Sequence, residues 1–144
     1  MKKLLIFLPV MFIVTLVFPN NISLFSRSQL VQKEINLAMF TNNNYNYAAY
    51  NDAKASVEVT VSKVSNNKVT VLNKKSFTAL QLQQYPSAAN AINNKVKIAG
   101  SLGSHDVLMV TYTVTYDAKG CILTFQNSEL ISKETANDNI SITI

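Results

Sequence analysis

The pattern of apolar and polar positions changes period along the chain. Residues 4–18, LLIFLPVMFIVTLVF, are apolar without interruption apart from one threonine and follow Met1-Lys2-Lys3. A positive start before about fifteen apolar residues has the form of an export signal. Crossing a bilayer core takes ~20 apolar residues, with ~17 near the lower limit. The run is therefore short for a span and long for a signal-peptide core. The segment after it, Pro19-Asn20-Asn21-Ile22-Ser23, has no Ala-x-Ala cleavage pattern. An uncleaved signal anchor is the favoured expectation, and a signal peptide cleaved near Ser23 is the alternative.

From Phe25 to Ala55 the spacing reads as helical. Ser26 or Ser28 caps the element, Leu30, Val31, Ile35, Leu37, Ala38 and Met39 form the apolar stripe, and Lys33 and Glu34 point outward. Asn42-Asn43-Asn44 interrupts the stripe, which resumes at Tyr45, Ala48, Ala49 and Ala53, so the stretch is either one long helix with a weak middle or two helices with a turn at Asn42–Asn44. The tyrosines on this stretch are expected to pack a helix on a sheet.

After Ser56 the period drops to two. Val57, Val59 and Val61 alternate with Glu58, Thr60 and Ser62, which is the signature of a half-buried strand. A three-residue turn at Ser65-Asn66-Asn67 would pair Val61 with Val71 and Lys63 with Val69. Phe77–Tyr85 is ambiguous, with propensity favouring helix, and a short helix is expected over Ala88–Asn93. A strand over Lys95–Ala99 would turn Val96 and Ile98 inward. The strongest strand signal is Asp106–Tyr116, with a turn at Asp117–Gly120 and a return over Cys121–Gln126. If Tyr116 pairs with Cys121, one face carries Leu108, Val110, Tyr112, Val114, Tyr116, Cys121, Leu123 and Phe125, and the other carries threonines. The late alternation Ile140-Ser141-Ile142-Thr143-Ile144 reads as an edge strand or a frayed tail.

The expected fold class is therefore α+β: an N-terminal hydrophobic helix, then an amphipathic helix packed on a four- to five-stranded antiparallel sheet. The organisation would be residues 1–24 as signal anchor or signal peptide, 25–133 as an extracytoplasmic domain, and 134–144 as a tail or edge strand.

Charge adds little specificity. The net charge of +5 divides into a basic middle, Lys54–Lys97, and an acidic end, Ile98–Ile144. Such asymmetry could steer head-to-tail contact between subunits. No arginine stands in the basic segment. Bidentate phosphate or base recognition favours arginine, so no nucleic-acid partner is expected.

The chemistry-bearing residues are few. The single cysteine, Cys121, forms no intramolecular disulfide and is expected in the core. The single histidine, His105, lies at the far end of a long strand from Cys121, some ~36 Å away at ~3.3 Å per residue, which excludes a Cys-His dyad. One His and one Cys make no zinc cluster. Gly100-Ser101-Leu102-Gly103-Ser104 lacks the Gly-Lys-Ser/Thr ending of a phosphate loop and reads as a strand-to-strand loop. No catalytic, cofactor-binding or metal-binding residue is assigned, and a non-enzyme is expected.

The layout of apolar start, amphipathic helix and β head is similar to that of pilin-type subunits. The chain lacks their Gly just before the apolar run and their Glu near its start, so the likeness is one of layout. Read as an uncleaved anchor, the apolar run makes this a small single-pass protein held in the cell membrane through residues 4–18, with its C-terminal domain outside the cytoplasm. That protein would act by protein contact or self-association in a cell-envelope, pilus, secretion or conjugation assembly. The alternative is a secreted or periplasmic ligand-binding domain without catalysis.

Overall fold

The computed structural model describes residues 28–41 and 52–144. They form two antiparallel-dominated sheets packed face to face. The strands are β1 (Gln29–Phe40), β2 (Lys54–Ser65), β3 (Lys68–Gln81), β4 (Ile92–Leu102), β5 (Val107–Ala118), β6 (Cys121–Ile131) and β7 (Asn137–Thr143). One sheet has the order β4-β1-β7 and the other β3-β2-β5-β6. Two single-turn 3-10 segments, Leu82–Gln84 and Ala88–Asn90, bridge β3 to β4.

This is an all-β sandwich, and it corrects the α+β expectation. The stretch expected to open the amphipathic helix is strand β1. Its buried positions are Val31, Lys33, Ile35, Leu37 and Met39, a strict period of two. The inward residue at the second of these positions is a lysine, which disguised the alternation as a helical stripe. Lys33, expected outward, has a side chain with no exposed surface. The rest of that expected helix, residues 42–51, lies outside the described residues.

The core forms where the inward rows meet. Ile35, Leu37 and Met39 of β1, Val57, Val59 and Val61 of β2, Leu108 and Val110 of β5 and Ile140 and Ile142 of β7 are almost wholly buried. β-branched and long aliphatic side chains fill such an inter-sheet space well. Val96 and Ile98 of β4 face inward, as their spacing predicts. The C-terminal alternation is a true strand: β7 runs parallel to β1, with Ile140 beside Leu37.

Turn chemistry sets both hairpins. Asn66 and Asn67 have φ of 47° and 63°, so the β2–β3 turn has two residues and pairs Ser65 with Lys68. Two left-handed residues give the turn whose twist matches its strands. The expected three-residue loop is thereby corrected: Val71 pairs with Ser62, and Val69 with Val64. A bulge at Leu72 then switches the face of β3, so Phe77, opposite Val57, reaches the core edge. In the β5–β6 hairpin, Lys119 and Gly120 have φ of 54° and 86°, and Ala118 pairs with Cys121. Relative to the expected register, β6 slides by two residues, so Tyr116 meets Leu123 and Val114 meets Phe125. An even shift leaves every side chain on its expected face.

No helix among the described residues is long and apolar enough to cross a membrane. The expected transmembrane helix, signal anchor and single-pass membrane location therefore find no support, and the apolar run at residues 4–18 lies outside the described residues. With β1 in place of the amphipathic helix, the pilin-like layout is lost as well.

Candidate interaction surface

A sandwich of two open sheets has four edges, and an unpaired edge is a template for another strand. Three of them here are blunted. β3 carries Lys68, Lys74 and Lys75 and is bent by irregularities at Leu72 and near Ala79, the latter at φ 56°. Charge and bulges are both devices that discourage edge pairing. β4 carries Lys95 and Lys97, and three of its carbonyls are already taken by side chains. Asn73 Nδ2 donates to the Lys97 carbonyl at 3.0 Å, Lys75 Nζ to the Lys95 carbonyl at 3.4 Å, and Lys63 Nζ to the Ser101 carbonyl at 3.3 Å. β7 is short, contains Asp138, and receives the Tyr116 hydroxyl at the Thr143 carbonyl, 3.5 Å away.

The fourth edge, β6, has no lysine and no bulge, its one charge is Glu129 near its end, and its one side-chain cap among the described residues is Asn127 Oδ1, which accepts from the Ser128 amide at 2.9 Å. From Cys121 to Ser128 it holds no charged residue, no proline and no glycine. Among the described residues its outer edge pairs with nothing. Its neighbour β5 holds it over the full length, from Ala118–Cys121 to Leu108–Ile131, without a bulge. Side chains reinforce that seam. Asn127 Nδ2 donates to the Tyr112 hydroxyl at 2.9 Å, and the hydroxyls of Thr111 and Ser128 share a hydrogen bond of 2.9 Å. The rings of Tyr116 and Phe125 meet edge to face at 5.7 Å.

The strand carries exposed apolar side chains on both faces. Ile122 and Leu130, on the outer face, are 66% and 71% exposed. Leu123 and Phe125 point to the inner side but are 54% and 59% exposed, because the three-stranded sheet does not reach across to β6. Cys121 is exposed for the same reason, which corrects its expected place in the core. Cys121 lies on its expected face, but among the described residues no second layer covers that face.

The two-residue turn fixes which backbone groups are free. The pair flanking such a turn is hydrogen-bonded, and bonded and non-bonded pairs alternate from there. Cys121, Leu123, Phe125, Asn127, Glu129 and Ile131 therefore direct their amides and carbonyls to β5. Ile122, Thr124, Gln126, Ser128 and Leu130 direct theirs away from the sheet.

The residues weighed for chemistry stay apart. His105 is exposed in the β4–β5 turn, and Cys121 lies at the other end of β5. The Gly100–Ser104 stretch ends β4 and turns into β5, and its carbonyls converge on a cation. Lys133 Nζ donates to the Ser104 carbonyl at 2.6 Å and to the Gly103 carbonyl at 3.0 Å. A phosphate cradle needs converging amides instead. No group of three metal-ligating side chains occurs among the described residues. Asp106, in the same turn, accepts from the Gly103 amide at 2.7 Å. Hydrogen bonds from Ser65 and Gly103, with Lys63 and Lys133 nearby, hold its carboxyl below the usual aspartate range. Glu34 is lowered likewise by its hydrogen bond from Lys95, assisted by the charges of Lys95 and Lys97.

No family model, curated protein or solved structure matches the chain.

Proposed function

We propose that the protein is a non-catalytic module that works by protein–protein contact, with the free edge of β6 as its contact surface. The observation that carries this reading is the contrast between edges. β3, β4 and β7 bear lysines, bulges or side-chain caps, whereas β6 offers eight consecutive uncharged residues and, among the described residues, a side-chain cap at the Ser128 amide alone. Strand addition to such an edge draws affinity from main-chain hydrogen bonds and selectivity from the alternating side chains. Leu123, Phe125, Ile122 and Leu130 supply apolar area for both sides of an added strand.

A ligand-binding reading would rest on the tyrosines. Among the described residues, Tyr112 is engaged with Asn127 and Glu129, and Tyr116 with Phe125. These contacts favour the protein-contact reading over that one.

A photo-crosslinking side chain placed at Gln126 of the full chain tests the proposal. The expected result is covalent capture of a polypeptide from Gln126 and none from the same group placed at Lys97 on β4. Equal capture from both positions, or capture from neither, contradicts it.

A further inference from the structure

We infer that the strand added to β6 is β6 of a second copy, paired antiparallel about a twofold axis through Gln126, so that two four-stranded sheets become one. This rests on the reading of β6 as a protein-contact edge and names its occupant.

Register selects this occupant. In a twofold antiparallel pair, the residue at a given distance before the axis meets the residue at the same distance after it. Outward-directed residues must face outward-directed residues for the new hydrogen bonds to form, so the axis must pass through one of the strand's residues and not between two. Of these, Gln126 alone is the midpoint of Cys121–Ile131 and alone overlaps the whole strand. On that axis the outer row reads Ile122, Thr124, Gln126, Ser128, Leu130, which is a palindrome in chemistry. Ile122 meets Leu130, Thr124 meets Ser128 and Gln126 meets its own copy. The two most exposed apolar side chains of this row are thus the pair that the symmetry brings together. Hydroxyl faces hydroxyl and amide faces amide, and such cross-strand matches favour pairing.

Charge agrees with the same axis. Glu129 is the only charged residue of β6, and the axis places it opposite Leu123, so no like charges meet. Phe125 falls opposite Asn127. Self-pairing of β3 or β4 would instead gather lysines at the seam, and at β4 it would displace three side chains that cap carbonyls, against the one Asn127 cap on the Ser128 amide of β6. The contact would add on the order of ten backbone hydrogen bonds and bury apolar side chains on both faces.

Cysteine placement in the full chain, with Cys121→Ser as background, reads the register directly. Opposed residues of a hydrogen-bonded pair lie ~5.5 Å apart at Cα, within the disulfide range of about 4.4–6.8 Å. Gln126→Cys sits on the axis and should yield a disulfide-linked dimer. Thr124→Cys meets its own copy only four residues out of register, ~13 Å along the strand, and should yield on the order of tenfold less. Adding Ser128→Cys to Thr124→Cys should restore the crosslink. In sedimentation, the wild type should run at twice the 15.9 kDa chain mass, and Gln126→Lys, which sets two like charges face to face, at the single mass.

Equal crosslinking of the Gln126→Cys and Thr124→Cys variants would overturn the register. A wild type at the single mass with no crosslink from Gln126→Cys would overturn the dimer. In that second case, a foreign polypeptide captured by the photo-crosslinker at Gln126 would leave the contact reading of β6 standing. Capture of nothing would remove both.

Discussion

The ammonium of Lys33, on β1, is buried beside the carboxylate of Asp138, on β7, and the two form an ion pair across the parallel seam of the smaller sheet. The same ammonium donates to the carbonyls of Ser132 and Thr135, at 2.6 and 2.7 Å, and to the Thr135 hydroxyl at 2.7 Å. One side chain thereby fastens the whole β6–β7 connection to β1. The pair is a lock on chain topology: β7 must cross from the end of the larger sheet to the edge of the smaller, and Lys33 is where it docks.

Replacing Lys33 should be costly. Lys33→Ala leaves a buried carboxylate and two carbonyls without their donor, and breaking a buried pair on one side typically costs about 3–5 kcal/mol. Lys33→Met combined with Asp138→Leu removes both charges and should recover most of that loss, because an apolar pair of similar volume is often neutral. Urea unfolding midpoints of the single and double variants check this. Equal destabilisation by both would show that the carbonyl contacts, and not the charge pair, hold the seam.

Stability should fall on the acid side. Asp106 and Glu34 both have carboxyls lowered in the folded protein, by hydrogen bonds first and by neighbouring lysines second. A lowered folded pKa means the unfolded chain binds the proton more readily. The stabilisation is thus fully present above the ordinary carboxylate values of 3.8 and 4.5 and is lost as pH falls through the lowered ones. Thermal unfolding between neutral pH and about pH 2 should show this decline. In Asp106→Asn the acid slope should be shallower.

Two turn or bulge positions should respond in opposite directions to one substitution pair. Ala79 sits at φ 56° without being glycine, a conformation costing an L-residue roughly 1–2 kcal/mol. Ala79→Gly should therefore stabilise the fold by about 0.5–1 kcal/mol, net of the extra freedom of the unfolded chain. Gly120 sits at φ 86° with open space around it, so Gly120→Ala should destabilise by about 1 kcal/mol through backbone strain alone. Denaturant midpoints measure both.

The core should behave as a packed interior. Ile35 has no exposed surface and stands in the inward row of β1. Ile35→Ala should cost about 2–5 kcal/mol, the range for a large-to-small change at a buried site. Ile122→Ala, at a surface two-thirds exposed, should cost the isolated fold far less while weakening association.

Much of the β-structure was legible from alternation. The inward rows of β2, β4 and β5 follow from their valines, leucines and isoleucines, and the even slip of the β5–β6 register left its faces intact. β1 was not legible, because its pattern contains an inward lysine whose partner lies about a hundred residues away. Local spacing cannot announce a distant counter-charge. Tertiary pairing outweighed helix propensity in the same way over Phe77–Gln81, the last residues of β3. The exposure of Cys121 was equally hidden, since it depends on how far the second sheet extends and not on the face the residue occupies. The contact edge had a sequence signal: a long strand without lysine, proline or glycine, whose alternate residues read the same in both directions. Its meaning emerges only once the turn length shows which row faces outward.

Amide hydrogen exchange of β6 in the full chain tests that contact most directly. The amides of Thr124 and Gln126 point away from β5, while those of Leu123, Phe125 and Asn127 point toward it. The account predicts that the outward amides become slow to exchange as protein concentration rises, and that Gln126→Lys returns them to fast exchange while the inward amides stay slow. Outward amides that exchange at the rate of open backbone at every concentration would contradict it.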